Sequence, residues 1–276
     1  MGSASSKQGA QVVLITGASS GIGLECARYL AERGYRVYGT SRRDAPTGER
    51  FTMLRMDVTD DGDVARTVDT VMQAESRIDV LVNNAGYGIA GAVEDTTVDE
   101  ARAQFETNVL GPLRMCRAVL PHMRTARSGL IVNVSSIAGL VPVPFQAFYS
   151  ASKAAIESMS EALRMEVRPF GIRVALLEPG DFRTGFTANR VRVAASAGSP
   201  YQERFERALG VMERDESKGA PPAAIARELE RVIQSPAPAF RTTIGAALQR
   251  AAPTLRNILP YGLYERMLMQ TYEIHR

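Results

Sequence analysis

Tyr149 and Lys153 stand four residues apart in Tyr149-Ser-Ala-Ser-Lys153. On a helix that spacing puts a phenol and an ammonium on one face. A phenol has an ordinary pKa of about 10 and shifts toward phenolate beside a cation, so this pair is equipped to move a proton. Composition singles the lysine out: among 33 Lys plus Arg, only Lys7, Lys153 and Lys218 are lysine. An ammonium is a compact point charge that the wide guanidinium fork does not imitate. Taken alone, the pattern is far more often a solvated surface pair on an amphipathic helix, and the surrounding residues must decide.

Ser136 lies 13 residues before Tyr149, after the apolar run Gly129 to Val134, and a loop could bring its hydroxyl beside the phenol. Asn108 is an amide in an apolar, β-branched part of a helical pattern from Val98 to Met123. Buried amides usually satisfy backbone groups, so both a structural and a site role stay open for it.

The elements that must carry these groups begin with a strand, Gln11 to Thr16, that enters Gly17-Ala-Ser19-Ser20-Gly21-Ile22-Gly23 and then a helix from Leu24 to Arg33, closed by Gly34. Glycines there permit a tight turn and close approach to a pyrophosphate, which the helix N-terminus attracts. The next strand, Arg36 to Thr40, ends in Ser41-Arg42-Arg43, where a dinucleotide fold that reads a free ribose hydroxyl normally places an acid. A hydroxyl and guanidinium forks suit a phosphate on that ribose, so NADP(H) is expected over NAD(H). Solvated loop charge is the alternative for both arginines. Asp57-Val58 follows a third strand, Phe51 to Arg55; Asp57 would accept from an adenine amino group or cap the next helix. Ile78 to Val82 runs into Asn83-Asn-Ala85-Gly86, a polar turn at a strand end. Gly171 to Leu177 leads to Glu178-Pro179-Gly180 with Thr184 beyond, and Phe240 to Ile244 is a seventh candidate strand.

Strands alternating with helices imply a single α/β, Rossmann-like, doubly wound and mostly parallel seven-stranded sheet with helices on both faces. Residues 1–10 read as a disordered tail and 11–276 as one nucleotide-binding catalytic domain, with a helical tail at about 246–276. Ala194 to Pro200 reads as a mobile loop. After Pro260 the tail should form an amphipathic helix, which would dock on its own sheet, close a substrate pocket, or make peripheral contact with a membrane.

The net charge of +3, without a basic block, argues against nucleic acid. Two cysteines, Cys26 and Cys116, and two distant histidines offer no metal site or disulfide framework, and no apolar run is long enough to span a membrane. A cytoplasmic protein is expected. Gly2 fits the spacing for N-myristoylation, as would many polar tails.

Thr16-Gly-Ala-Ser-Ser-Gly-Ile-Gly23, Asn83 to Gly86, Asn108, Ser136, Tyr149-x-x-x-Lys153 and Pro179-Gly180 with Thr184 occur in the order seen in the short-chain dehydrogenase/reductase family, which the chain resembles over about 11–186 and more weakly to Gly245. The resemblance implies hydride transfer at an alcohol or its carbonyl, with Tyr149 as general acid, Ser136 bonded to the substrate oxygen, Lys153 on the nicotinamide ribose lowering the phenol pKa, and Asn108 keeping a proton-relaying water. It also implies cofactor contacts through the glycine turn, Ser41 to Arg43, Asp57-Val58, Asn83, Ala85, Gly86, Tyr149, Lys153, Pro179, Gly180 and Thr184, and a homodimer or homotetramer. Glu178 to Phe186 and the long tail are similar to hydroxysteroid and retinol dehydrogenase-like members, which implies a bulky apolar carbonyl or alcohol substrate and a substrate lid at about 182–212, from Phe182 to about Met212. A silent NADP(H)-binding redox sensor is the alternative function; it would need the glycine turn and no proton relay.

Overall fold

The computed structural model describes residues 10–42 and 48–274. Gly2, Arg43 and all but the last residue of the expected N-terminal tail lie outside the described residues. Within them the chain runs β1 (Val12–Ile15), α1 (Gly21–Glu32), β2 (Arg36–Ser41), β3 (Thr52–Arg55), α2 (Asp61–Glu75), β4 (Val80–Asn83), β5 (Ile89–Ala90) and α3 (Val98–Phe105). A π-helical turn, Glu106–Leu110, leads to α4 (Gly111–Ala126), followed by β6 (Gly129–Val134), α5 (Ala147–Val167) and β7 (Ile172–Pro179). Then come β8 (Val191–Arg192), α6 (Gln202–Lys218), α7 (Ala223–Gln234), β9 (Arg241–Ile244), α8 (Ala247–Ile258) and α9 (Tyr261–Thr271).

Seven strands form one sheet in the order β3-β2-β1-β4-β6-β7-β9. Every pairing in it is parallel, so the expectation of a mostly parallel sheet is met without an antiparallel edge. Val13 and Ile15 enter the core on one face with α1 and α7, while Val12 and Leu14 enter the other with α2, α4 and the end of α5. Two buried faces explain why the strands read as unbroken β-branched runs. The strand order reverses between β1 and β4, and the crevice at their carboxyl ends is where such sheets take ligands.

A second, two-stranded sheet pairs β5 with β8. It draws 191–196 onto the body of the molecule, burying Val193 and Ser196, so this stretch departs from the free loop expected over Ala194 to Pro200. The tail packs on the turn after β6 and on α6: Tyr264 is buried with Ile137 and Val141, and Ile274 with Phe205, Leu209 and Met212. No helix among the described residues is long and apolar enough to cross a membrane.

Phe145, just before α5, has φ of 59°. A left-handed backbone is rare for an aromatic residue and needs outside support. Its carbonyl accepts from Gly91 N at 2.8 Å, and its ring packs on fully buried Phe205 at 5.7 Å between centroids. Phe205→Ala should therefore lower stability by about 3–5 kcal/mol, measured by urea unfolding; a loss near 1 kcal/mol would mean that α6 does not brace this turn.

Candidate active site

Helix α5 carries Tyr149 and Lys153, and a buried polar ladder docks it on the sheet. Asn83 Nδ2 donates to Asn133 Oδ1 at 2.8 Å, Asn133 Nδ2 donates to Ser160 Oγ at 2.7 Å, and Ser160 Oγ donates to the carbonyl of Ile156. With Tyr149, Ser152, Lys153, Ile156 and Ser160 buried on one face, the helix cannot rotate without breaking that ladder.

Lys153 Nζ donates to the carbonyl of Val134 at 2.8 Å, two residues before Ser136. Ser136 Oγ accepts from Ala138 N and donates to the carbonyl of Pro179 at 3.3 Å. The lysine thereby ties α5 to the end of β6, and the serine ties the turn after β6 to the end of β7.

Burial pushes the Tyr149 phenol up to about 12, while Ser136, close enough to hydrogen-bond it, pulls the other way. Lys153 is not among the causes, although its ammonium lies 5.8 Å from the ring centroid. Burial in turn pushes Lys153 down to about 8, opposed by Glu157. The direction at Tyr149 is therefore opposite to the one expected from the Tyr-Lys spacing: in the chain itself, desolvation outweighs the cation.

The π-helical turn at 106–110 directs Asn108 inward. Its Nδ2 donates to the carbonyl of Tyr87 and to Ser152 Oγ, and its Oδ1 accepts from Tyr87 N. Ser152 Oγ donates to the carbonyl of Tyr149, so Asn108 is two bonds from the reacting residue. A continuous helix was expected here; π-turns recur at functional sites, and no short sequence signal marks this one.

At the switch point the turns after β1 and β4 interlock. Gly17 has φ of +67°, and a Cβ there would lie 2.8 Å from Ala85 Cα; one on Gly23 would lie 2.3 Å from the Gly17 carbonyl. Asn84 Nδ2 donates to the carbonyls of Thr16 and Gly17, a brace that the sequence reading passed over. Asn83 is turned into the core and Val58 is buried, whereas Ser19, Ile22 and Ala85 are half-buried and Ser20 and Gly86 are exposed at the strand ends. No side chain caps α1 and no acid sits in its first turn, so its leading amides are free to hold an anion. Ser41 closes β2, and the exposed Arg42 is near enough for its charge to bear on the Tyr87 phenol. Asp57 Oδ1 accepts from Thr59 N and Oγ1, while Asp60 caps α2. The residues at this edge thus fit a dinucleotide: a glycine cradle that tolerates no side chain, a bare helix N-terminus, and a cation at the β2 end.

Thr184 faces Gly21 across a cleft of about 610 Å³ lined by α1, 183–187 and α6. Phe186 stacks on Tyr149 with ring centroids 5.4 Å apart. Residues from distant segments, Phe186, Arg190, Glu216 and Gln249, thus close over the site; only the general lid at 182–212 was expected.

A family model described as short chain dehydrogenase matches residues 11–194. The chain is 43% identical over 265 residues to a 3-ketodihydrosphingosine reductase from Bacteroides thetaiotaomicron, covering 96% of this chain and 98% of that one. Among solved structures it resembles a short-chain dehydrogenase from Streptomyces avermitilis, with a TM-score of 0.80, 35% identity and coverage of 96% and 97%. A short-chain dehydrogenase from Burkholderia cenocepacia in complex with NADP gives a TM-score of 0.71 at 28% identity, covering 94% and 98%.

Asn108→Ala should leave the Tyr87 N–H without its acceptor and take one of two partners from the Tyr87 carbonyl and from Ser152 Oγ, which keep Gln104 Nε2 and the Tyr149 carbonyl, lowering stability by about 1–3 kcal/mol in urea unfolding. An unchanged midpoint would show that these bonds are replaced at no cost.

Proposed function

The chain belongs to the short-chain dehydrogenases, and from that premise we propose that this oxidoreductase reduces the keto group of a long-chain, sphingoid-type ketone with NADPH. The observation that carries the reading is the buried Tyr149 phenol beneath Phe186, with half-buried Ser136 close enough to hydrogen-bond it and the phenol's pKa raised. The near full-length likeness to a 3-ketodihydrosphingosine reductase supports the substrate class.

Hydride is the contribution of bound NADPH. Gly17, Ser19, Ser20, Gly21, Ile22 and Gly23 would hold its pyrophosphate, Ser41 and Arg42 the 2′-phosphate, and Ala85, Gly86, Pro179, Gly180 and Thr184 the rest of the molecule along the strand ends. Lys153 would meet the ribose. Tyr149 and Ser136 would flank the carbonyl oxygen of the substrate. As negative charge builds on that oxygen, Tyr149 and Ser136, whose proton would turn to it from the Pro179 carbonyl, stabilise it more than the neutral carbonyl. Tyr149 then gives up its proton: a phenol with a pKa of about 12 is fully protonated at neutral pH yet far more acidic than the alcohol it forms. Asn108, through Ser152, fixes the turn of α5 from which the phenol projects.

Tyr149→Phe should lower kcat by about 10²–10⁴-fold, the usual worth of a positioned acid, while the Kd for NADPH stays within threefold. Stopped-flow turnover with a long-chain ketone checks it, and a variant retaining a tenth of the wild-type rate would remove Tyr149 as the acid. Arg42→Ala should weaken NADPH by at least tenfold more than NADH, read by fluorescence titration; equal losses would place the 2′-phosphate elsewhere.

A further inference from the structure

The side chains above Tyr149 carry charge that proton transfer does not use. The Arg190 guanidinium lies 5.5 Å from the Phe186 ring centroid and pairs with Glu216, which also accepts from Thr187 Oγ1. The Arg190 side chain is 2% exposed, and its Nε and Nη1 are buried with no hydrogen-bond partner. Asp181 follows Pro179-Gly180 and accepts from Gln249 Nε2 of α8. It sits two residues beyond the carbonyl that receives Ser136 Oγ. Glu216, Arg190 and Asp181 all bear on the Tyr149 phenol.

Arg190 and Glu216 cancel. Asp181 is then left as a half-buried carboxylate that, among the described residues, forms no ion pair. A half-buried carboxylate with no ion pair, near enough to Arg190 to feel its charge while Arg190 Nε and Nη1 lack acceptors, is an arrangement that folding alone disfavours. A ligand bearing one cation and one oxygen acceptor would satisfy both.

Building on the ketone-reductase reading above, we propose that Asp181 and Arg190 form a head-group site beside the reacting carbonyl. Asp181 takes an ammonium on the carbon next to the ketone, and Arg190 Nε or Nη1 donates to a neighbouring hydroxyl oxygen. The preferred substrate is therefore an amino ketone, and selectivity for the amine resides in Asp181.

The groups facing Asp181 define its titration. Burial comes first, then Glu216 and Asp215 from α6; Gln249 and Arg190 act in the opposite sense, and together they bring the carboxyl up to about 6. Tyr272 in the tail is held protonated by burial and by the same acids. The carboxylate is present at neutral pH and lost as pH falls through about 6.

The test compares a long-chain 2-amino-1-hydroxy-3-ketone with the same ketone lacking the amine, using NADPH and the full chain. Wild type should favour the amino ketone in kcat/KM by about ten- to hundredfold, the worth of one charge-assisted hydrogen bond. Asp181→Asn should bring that ratio to near one. In wild type the ratio should also fall toward one as pH drops through about 6, which needs no variant. Asp181→Asn should fold: a raised carboxyl pKa contributes stability that is complete below 3.8 and lost as pH rises through about 6, so at pH 7 the amide removes a cost. A wild-type ratio near one, with both ketones reduced, would overturn the head-group site and leave the long-chain ketone reading standing. So would a variant that keeps its ratio. Reduction of neither ketone by NADPH-binding protein would overturn both.

Discussion

Desolvation of one phenol sets the terms for the rest of this site. Tyr149 is held on a helix that a ladder of buried amides and hydroxyls locks to β4 and β6. Its neighbour Lys153 is committed to the carbonyl of Val134. Burial raises the phenol's pKa and depresses that of the lysine, and both shifts favour neutral groups. For an acid that must keep its proton until charge appears on a substrate oxygen, the raised pKa is the useful direction. Ser136 tempers it from one side, while Phe186 keeps water away on the other.

Around that phenol the chain accepts local costs. Phe145 adopts a left-handed backbone at the entry to α5, Asp181 ionises with difficulty, and Arg190 hides unpaired donors. Each lies within the shell formed by 181–218 and the tail, and each is supported by packing from α6, α8 or α9 rather than by the sheet. The sheet supplies rigidity, and in the proposed head-group site the later segments would supply selectivity. Such a division is common where catalytic groups sit at strand ends and variable loops shape the substrate space.

Much of the architecture was legible because a strand buried on both faces has little choice of residue. Val12 to Ile15, Val80 to Val82 and Gly129 to Val134 announce themselves as β-branched runs, and each was placed within two residues. The glycine turn was legible for the same steric reason: Gly17 and Gly23 leave no room for a side chain. Elsewhere the signal was absent. The strands β5 and β8 are two residues long and exist only because they find each other. The π-turn around Asn108 depends on bonds to Tyr87, 21 residues away. Which of Asn83 and Asn84 faces the crevice is a matter of strand pleat, and neighbouring identical residues conceal it. The bond from Gln249 to Asp181 spans 68 residues and follows from how the tail folds back, which no local pattern encodes. The Tyr-Lys spacing did reveal the pair, but its electrostatics turned on burial, which spacing does not report.

The most direct measurement is the titration of Tyr149 in the free protein, followed by NMR of ring-labelled tyrosine, with the Tyr149→Phe spectrum identifying its signal. The account predicts a phenol still protonated at pH 10 that titrates near 12. A phenolate already half-formed at pH 8 would contradict it, because the lysine would then outweigh burial and the residue would meet its substrate as a base.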